Sequence, residues 1–236
     1  MSDTPDQLVE LRNYTLVPGA AEAFADHFEQ HFLASQEQLG MDVVGQFTVP
    51  GDDARFVWVR RFEQPAHRGE ALERFYSGPV WKEFGPRANE LLVDSDDVHL
   101  LRPDPSVPDF AAAHHPHAER PDPVFAEPAS TSTVVAALYD LDPAATELPA
   151  DVAATMAGAL AAADGVRELG RLVTAHVAND FPALPFHEDV AVGVWLLATA
   201  GDGGDAAVAV AESVAAAHGL ALRAIRLAPT GRSTLH

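Results

Sequence analysis

The chain of 236 residues contains no cysteine. That excludes disulfides, thiolate zinc centres, iron–sulfur clusters and a cysteine nucleophile together. Positive charge is scarce as well: 15 Lys and Arg stand against 35 Asp and Glu, a formal net charge of -20. Such a surface repels polyphosphate, so neither nucleic acid nor an anionic membrane is an expected partner. Long apolar runs are missing too. The longest uncharged apolar stretch, Val190 to Ala200, has 11 residues, and about 20 are needed to cross a bilayer. The opening MSDTPDQ is acidic and lacks the basic-then-apolar order of a secretory signal. A soluble, cytoplasmic protein is predicted.

Chemical motifs are equally sparse. Gly201-Asp202-Gly203-Gly204 lacks the Lys-Ser/Thr of a phosphate loop and reads as the turn before an Ala-rich helix over Asp205 to His218. No G-x-S-x-G elbow is present, and the carboxylates form no two-metal or glycosidase pattern.

What the chain does have is punctuation. Seven of its 18 prolines fall within residues 103–130, a density that no helix or central strand tolerates. This segment is read as a linker between a first unit, 1–102, and a second, 131–236. In the first unit, Gln7 to Thr15 alternates apolar and polar residues as a half-buried strand does. A helix follows from Pro18-Gly19 to about Leu39, with Phe24, Phe28, His31, Ser35 and Leu39 on its inward stripe and Phe32 at the edge. Val43 to Val49 and Arg55 to Phe62 make a hairpin around Pro50 to Asp53. Helices over His67 to Tyr76 and Val80 to Leu92, broken at Gly78-Pro79, precede a strand at Val98 to Arg102. The order is βαββαβ.

The second unit carries matching anchors. Tyr14-Thr15-Leu16-Val17-Pro18 aligns with Tyr139-Asp140-Leu141-Asp142-Pro143 at an offset of 125, as Gly45 does with Gly170. Val57-Trp58-Val59 matches Val194-Trp195-Leu196 at 137, and Leu101-Arg102-Pro103 matches Leu227-Ala228-Pro229 at 126. The second hairpin is therefore 12 residues longer, and a shorter second helix restores the register. On Arg55 to Phe62, Phe56, Trp58, Arg60 and Phe62 face one way while Val57, Val59 and Arg61 face the other. A sheet apolar on both faces must be covered twice, so the two units are expected to close on each other. The fold class is α+β, with two tandem ferredoxin-like βαββαβ units forming an intramolecular α/β-barrel pseudo-dimer, itself able to assemble further as a homo-oligomer.

Several segments in order, VELRNYTLVPG at Val9 to Gly19, RFVWVRRF at Arg55 to Phe62, Arg68, FYSGPVWKEFGPRAN at Phe75 to Asn89 and HLLRP at His99 to Pro103, resemble the NIPSNAP family of the dimeric α/β-barrel proteins. The resemblance covers about the first hundred residues; the second half lacks the ELRxYxLxPG and GPxW wording. It implies a ferredoxin-like fold with units paired through their sheets. The wider barrel group includes cofactor-independent monooxygenases of aromatic polyketides, haem-handling enzymes and small isomerases or dehydratases.

Candidate site residues concentrate in the first unit. Arg60 shares the Phe56/Trp58 face, and Arg12 shares the Tyr14 face. Guanidinium groups beside rings can hold an enolate, phenolate or carboxylate of an apolar ligand, while Arg61, Arg68 and Arg74 add to the same positive patch or pair with carboxylates. His31, on an apolar stripe, is the candidate proton carrier. Its neighbour His27 stands four residues away, a metal-compatible spacing, but no third ligand is identifiable and no metal is expected. Tyr14, Phe28, Trp58 and Trp81 are the candidate cavity walls, with Trp81 following the Gly78-Pro79 break.

The expected activity is binding of a small apolar or aromatic organic molecule in the first unit, possible as an oxygenase or isomerase without a tightly bound cofactor. The competing reading is a non-catalytic scaffold that contacts a protein. Asn179, Asp180, Phe181, His187, Glu188 and Asp189 lie on the long second hairpin, read first as a solvated insertion and second as a cover for the other unit's cleft. His114, His115 and His117, in the linker, make a poor preorganised site.

Overall fold

In the computed structural model, residues 7–62, 64–104, 132–200 and 204–236 are described. The linker beyond Asp104, with its three histidines, and Gly201 to Gly203 lie outside them. The first unit runs β1 (Leu8–Leu16), α1 (Ala21–His31), α2 (Leu33–Glu37), β2 (Met41–Val49), β3 (Asp52–Phe62), α3 (Arg68–Tyr76), α4 (Pro79–Leu91), β4 (Leu92–Asp94) and β5 (Val98–Pro103). The second runs β6 (Thr133–Leu141), α5 (Ala150–Ala162), β7 (Val166–Thr174), β8 (Ala191–Thr199), α6 (Asp205–His218) and β9 (Leu222–Pro229). Apart from the short β4, each unit is βαββαβ, the second helical position being split in the first unit and single in the second.

The strand order is β3-β2-β9-β6-β8-β7-β5-β1, and β1 pairs back to β3. Eight strands thereby close into a barrel, with β4 attached outside on β1. Two seams join the units: β2 meets β9 at Phe47 and Thr48, and β5 meets β7 from Leu101 to Pro103. The bare faces expected from the sequence therefore face a common lumen. Val9, Leu11, Val57, Val59, Val134, Leu138, Val194 and Leu196 fill it, with Phe47 and the C-terminal Leu235. It is a packed core rather than a channel.

Closure requires curvature, and both units bend at the same place. The β2–β3 register shifts between Val43 and Gly45, and the β7–β8 register shifts between Glu168 and Gly170. Bulges of this kind bend a strand and increase its twist. A Cβ on Gly45 would stand 2.6 Å from the Phe47 ring, so the absent side chain is what lets that ring lie across the strand.

Some sequence expectations shift. The first helix is interrupted at Phe32 and buries Phe24, Phe28, Phe32, Leu33 and Gln36. His31, Ser35 and Leu39 are only partly buried. Three phenylalanines spaced by four bury far more apolar area than a histidine and a serine, and they turn the helix by about one position. The hairpin turn is tighter than expected, because Val49 already pairs with Asp52. Pro103, assigned to the linker, ends β5 in register with Leu172. No helix among the described residues is long and apolar enough to cross a membrane.

Candidate functional site

The helices cover the outside of the barrel, and the two units do this differently. Over β6 and β8, Val135, Ala137, Tyr139, Trp195 and Leu197 pack directly against α5 and α6. These helices are rich in alanine, so they approach closely, and the Tyr139 hydroxyl donates to the Ala211 carbonyl at 3.0 Å. In the first unit the positions equivalent to Val135, Ala137 and Leu197 are Glu10, Arg12 and Arg60. The registers agree: Glu10 pairs with Arg60 across β1 and β3 as Val135 does with Leu197 across β6 and β8. Three apolar positions in one unit are thus three buried charges in the other.

Glu10 is the hub. Its Oε2 accepts from Arg12 Nη1 at 2.9 Å and from Arg60 Nε and Nη2 at 3.1 and 2.5 Å, while Oε1 accepts from Arg68 Nε at 2.8 Å. Glu10, Arg12 and Arg60 are fully enclosed and Arg68 is 1% exposed. Burial alone would raise the Glu10 carboxyl, but Arg60, Arg12 and Arg68 outweigh it and hold the group far below the usual carboxylate range. Arg60 gives its remaining nitrogen to Gln36 Oε1 at 2.7 Å. The guanidinium groups of Arg12 and Arg60 lie 5.6 and 5.0 Å from the Trp58 ring, in the range of cation–π attraction.

A fifth charge comes from the other unit. Between β7 and β8 the long loop crosses the seam. Asp180 pairs with Arg68 Nη1 and accepts from the Gly69 backbone N–H at 2.8 Å. Any side chain at Gly69 would stand 3.0 Å from Asp180, so glycine lets the loop dock. Phe181 stacks on Tyr76 at 5.8 Å, and Phe186 lies under Arg68. The loop is therefore a cover for the first unit's site and not a solvated insertion. Asp180→Ala is expected to lower stability by about 1–2 kcal/mol in urea denaturation and to speed amide exchange over residues 179–187; unchanged exchange would contradict this docking.

Above Trp58 lies a cavity of about 100 Å³, walled by Tyr14, Phe24, Phe28, Phe32, Trp58, Phe75, Tyr76, Trp81 and Leu184. It reaches the surface past Asn89, Leu92 and Ser95. Tyr14 meets Trp58 edge-on at 5.9 Å, and Phe28 leans on Trp58 at 4.8 Å. The Tyr14 hydroxyl accepts from Arg12 Nε at 3.0 Å, which leaves its proton free to donate. Burial pushes the Tyr76 phenol up to about 12, so it too stays a donor. Gln36 also lines the cavity; with Oε1 taken by Arg60, its NH2 remains. Trp58 Nε1, Arg12 Nη2 and Arg68 Nη2 are buried without a partner. Every one of these leftover groups is a donor.

Of the residues expected from the sequence, Tyr14, Phe28, Trp58 and Trp81 line the cavity together. Arg12 and Arg60 do not line it; they lie against the Trp58 ring and share the Glu10 carboxylate with Arg68. His31 is elsewhere: it stacks on Phe84 at 3.7 Å, beside His27, whose Nε2 bonds the Phe84 carbonyl at 2.9 Å. Burial and the neighbouring His27 hold it below its ordinary value. Sequence reasoning missed Glu10 and Gln36. Strand parity alone puts Glu10 on the Arg12 and Tyr14 face of β1, and a carboxylate on a helix-covered face needs a cation.

Known proteins with similar sequences and folds now bear on this geometry. None of the curated proteins matches the chain at a significant level. A NIPSNAP-like domain protein of Burkholderia xenovorans is 28% identical, covering 44% of this chain and 91% of its own, with a TM-score of 0.40. Two monooxygenase candidates are similar over nearly the whole chain. That of Fusobacterium nucleatum is 7% identical, covering 95% and 93%, with a TM-score of 0.54. That of Lactobacillus acidophilus is 9% identical, covering 95% and 94%, with a TM-score of 0.50. At such identities the likeness is one of fold, the two-unit α/β barrel. The profile of the NIPSNAP family matches residues 9–108, the segment holding Glu10, Arg12, Arg60, Arg68 and the cavity walls other than Leu184.

Proposed function

We propose that the first unit binds a small aromatic molecule carrying an acceptor oxygen, such as a carboxylate, phenolate or quinone carbonyl, with its ring among Tyr14, Phe28, Trp58 and Trp81. The observation that carries this is Trp58 Nε1, a buried donor without a partner in the wall of an apolar cavity. Such a group costs about 1–3 kcal/mol when left unmade, and a ligand oxygen would satisfy it. Charge supports the same class: three guanidinium groups face two carboxylates, an excess of one positive charge among Arg12, Arg60, Arg68, Glu10 and Asp180. Size supports a single ring, since a dry cavity of comparable scale accepts benzene.

The described lining residues include no carboxylate and no imidazole. Binding of a ligand already anionic, or slow chemistry in which donors hold a developing oxyanion, fits these walls better than proton abstraction by His31. An oxygenase or isomerase acting on an electron-rich ring would use the site in the second way, with Arg12 acting through Tyr14.

A thermal-shift panel of single-ring carboxylates, phenols and quinones tests the reading. A ligand present at a hundred times its dissociation constant adds about 2.7 kcal/mol. At least one oxygen-bearing ring should raise the melting temperature by several degrees; silence across the panel would favour the scaffold reading.

A further inference from the structure

A second cluster lies apart from the aromatic cavity, where the long loop meets the sheet seam. Among the described residues one group has metal-ligand composition: Asp97, His99 and His187, with ligand atoms all within 4.8 Å of one another. The three come from different places. Asp97 precedes β5, His99 is on β5 opposite Leu11, and His187 is on the loop from the second unit. We propose that Asp97, His99 and His187 bind a divalent transition-metal ion of the zinc class, at the side of a pocket also lined by Asp140, Leu138 and Arg223.

The geometry is close to what such an ion requires. Bonds of about 2.0–2.2 Å put tetrahedral ligand atoms about 3.4 Å apart. Asp97 Oδ1 stands 3.0 Å from His187 Nε2 and 3.9 Å from His99 Nε2, on either side of that spacing. The backbone supports the arrangement: the Asn13 N–H donates to the Asp97 carbonyl and the His187 N–H to the Val98 carbonyl, each at 2.9 Å. Asp97 Oδ2 is held by Asn13 Nδ2 at 2.8 Å, the outer contact that orients a ligating carboxylate.

Arg223 decides the chemistry. Its Nη1 donates to Asp97 Oδ2 at 2.9 Å and its Nη2 to His99 Nε2 at 2.8 Å. A guanidinium only donates, so His99 presents the Nε2 lone pair that a metal needs. The guanidinium thus holds the ion's place as a resident cation. It is 45% exposed and has open solvent to swing into. Two imidazoles and one carboxylate suit zinc and its neighbours rather than calcium or magnesium. Because His187 and Leu184 share a loop, an ion here would also fix the segment that walls the cavity.

Titration of the full chain with Zn2+ tests this. One equivalent should bind, at least tenfold more weakly in His187→Ala and several-fold more tightly in Arg223→Ala. Both side chains are close to half exposed, so the fold, checked by circular dichroism, should survive. Co2+ should give the intense visible bands of a four-coordinate site in the unaltered chain and in Arg223→Ala but not in His187→Ala. Amide exchange over residues 179–187 should slow with Zn2+ in the unaltered chain and in Arg223→Ala but not in His187→Ala. Equal affinity in His187→Ala would overturn the proposal and assign the ion elsewhere, for instance to His114, His115 and His117. Absence of binding in Arg223→Ala would overturn it outright.

Discussion

Replacing Glu10 by glutamine is expected to cost about 3–5 kcal/mol of stability at neutral pH, the range found when one partner of a buried ion pair is removed. Of three guanidinium groups, none more than 1% exposed, Arg68 would keep Asp180, while Arg12 and Arg60 would lose the carboxylate they share. Urea denaturation at pH 7 measures the loss, and a change under 1 kcal/mol would mean that Glu10 is not the hub. The same carboxylate sets a pH dependence. Its folded value lies well below the ordinary 4.5, so its contribution is fully present above about pH 4.5. It is lost as pH falls below that value and the unfolded chain takes up the proton first. The unaltered protein should lose more stability between pH 5 and pH 3 than Glu10→Gln does.

The other large effect concerns the lumen. Phe47 is fully buried there and lies over Gly45. Phe47→Ala should cost about 3–5 kcal/mol through lost burial and the void left behind. Affinity for an aromatic ligand should not change, because the proposed site is outside the barrel, under α1, α3 and α4. A ligand that binds Phe47→Ala much more tightly or more weakly would place it in the lumen instead.

Much of the fold was legible because a strand's two faces are written in alternation. Phe56, Trp58 and Phe62 face the helices, and Val57 and Val59 face the lumen, as parity on β3 demands. The offsets relating Tyr14 to Tyr139 and Gly45 to Gly170 fall on equivalent strand positions, including the bulges. Closure of the barrel was less direct. Nothing local in Phe47 or Pro229 says that β2 and β9 will pair; that contact follows only from two sheets each needing a cover.

The candidate site was half legible. Aromatic spacing was enough to find the walls, since large rings dominate burial wherever they fall. The polar members were harder, because the worth of a buried charge depends on its partners. Arg60 reads from the sequence as an anion clamp, but Glu10 and Gln36 occupy its nitrogens. His31 reads as buried, but the helix turns to bury Phe32 in its place. Asp180 is 112 residues from Arg68, and only the folded loop brings them together.

An aromatic cavity with unsatisfied buried donors should take an oxygen-bearing ring, and tryptophan fluorescence reports such binding. Benzoate and toluene, alike in shape but not in acceptor oxygens, would be titrated into the unaltered protein and into Trp58→Phe, which keeps a ring and removes the Nε1 donor. Benzoate should bind the unaltered chain at least tenfold more tightly than toluene and lose most of that margin in Trp58→Phe, with toluene indifferent to the change. Equal binding of benzoate to both proteins, or no binding of either probe, would mean that Trp58 Nε1 does not hold a ligand oxygen.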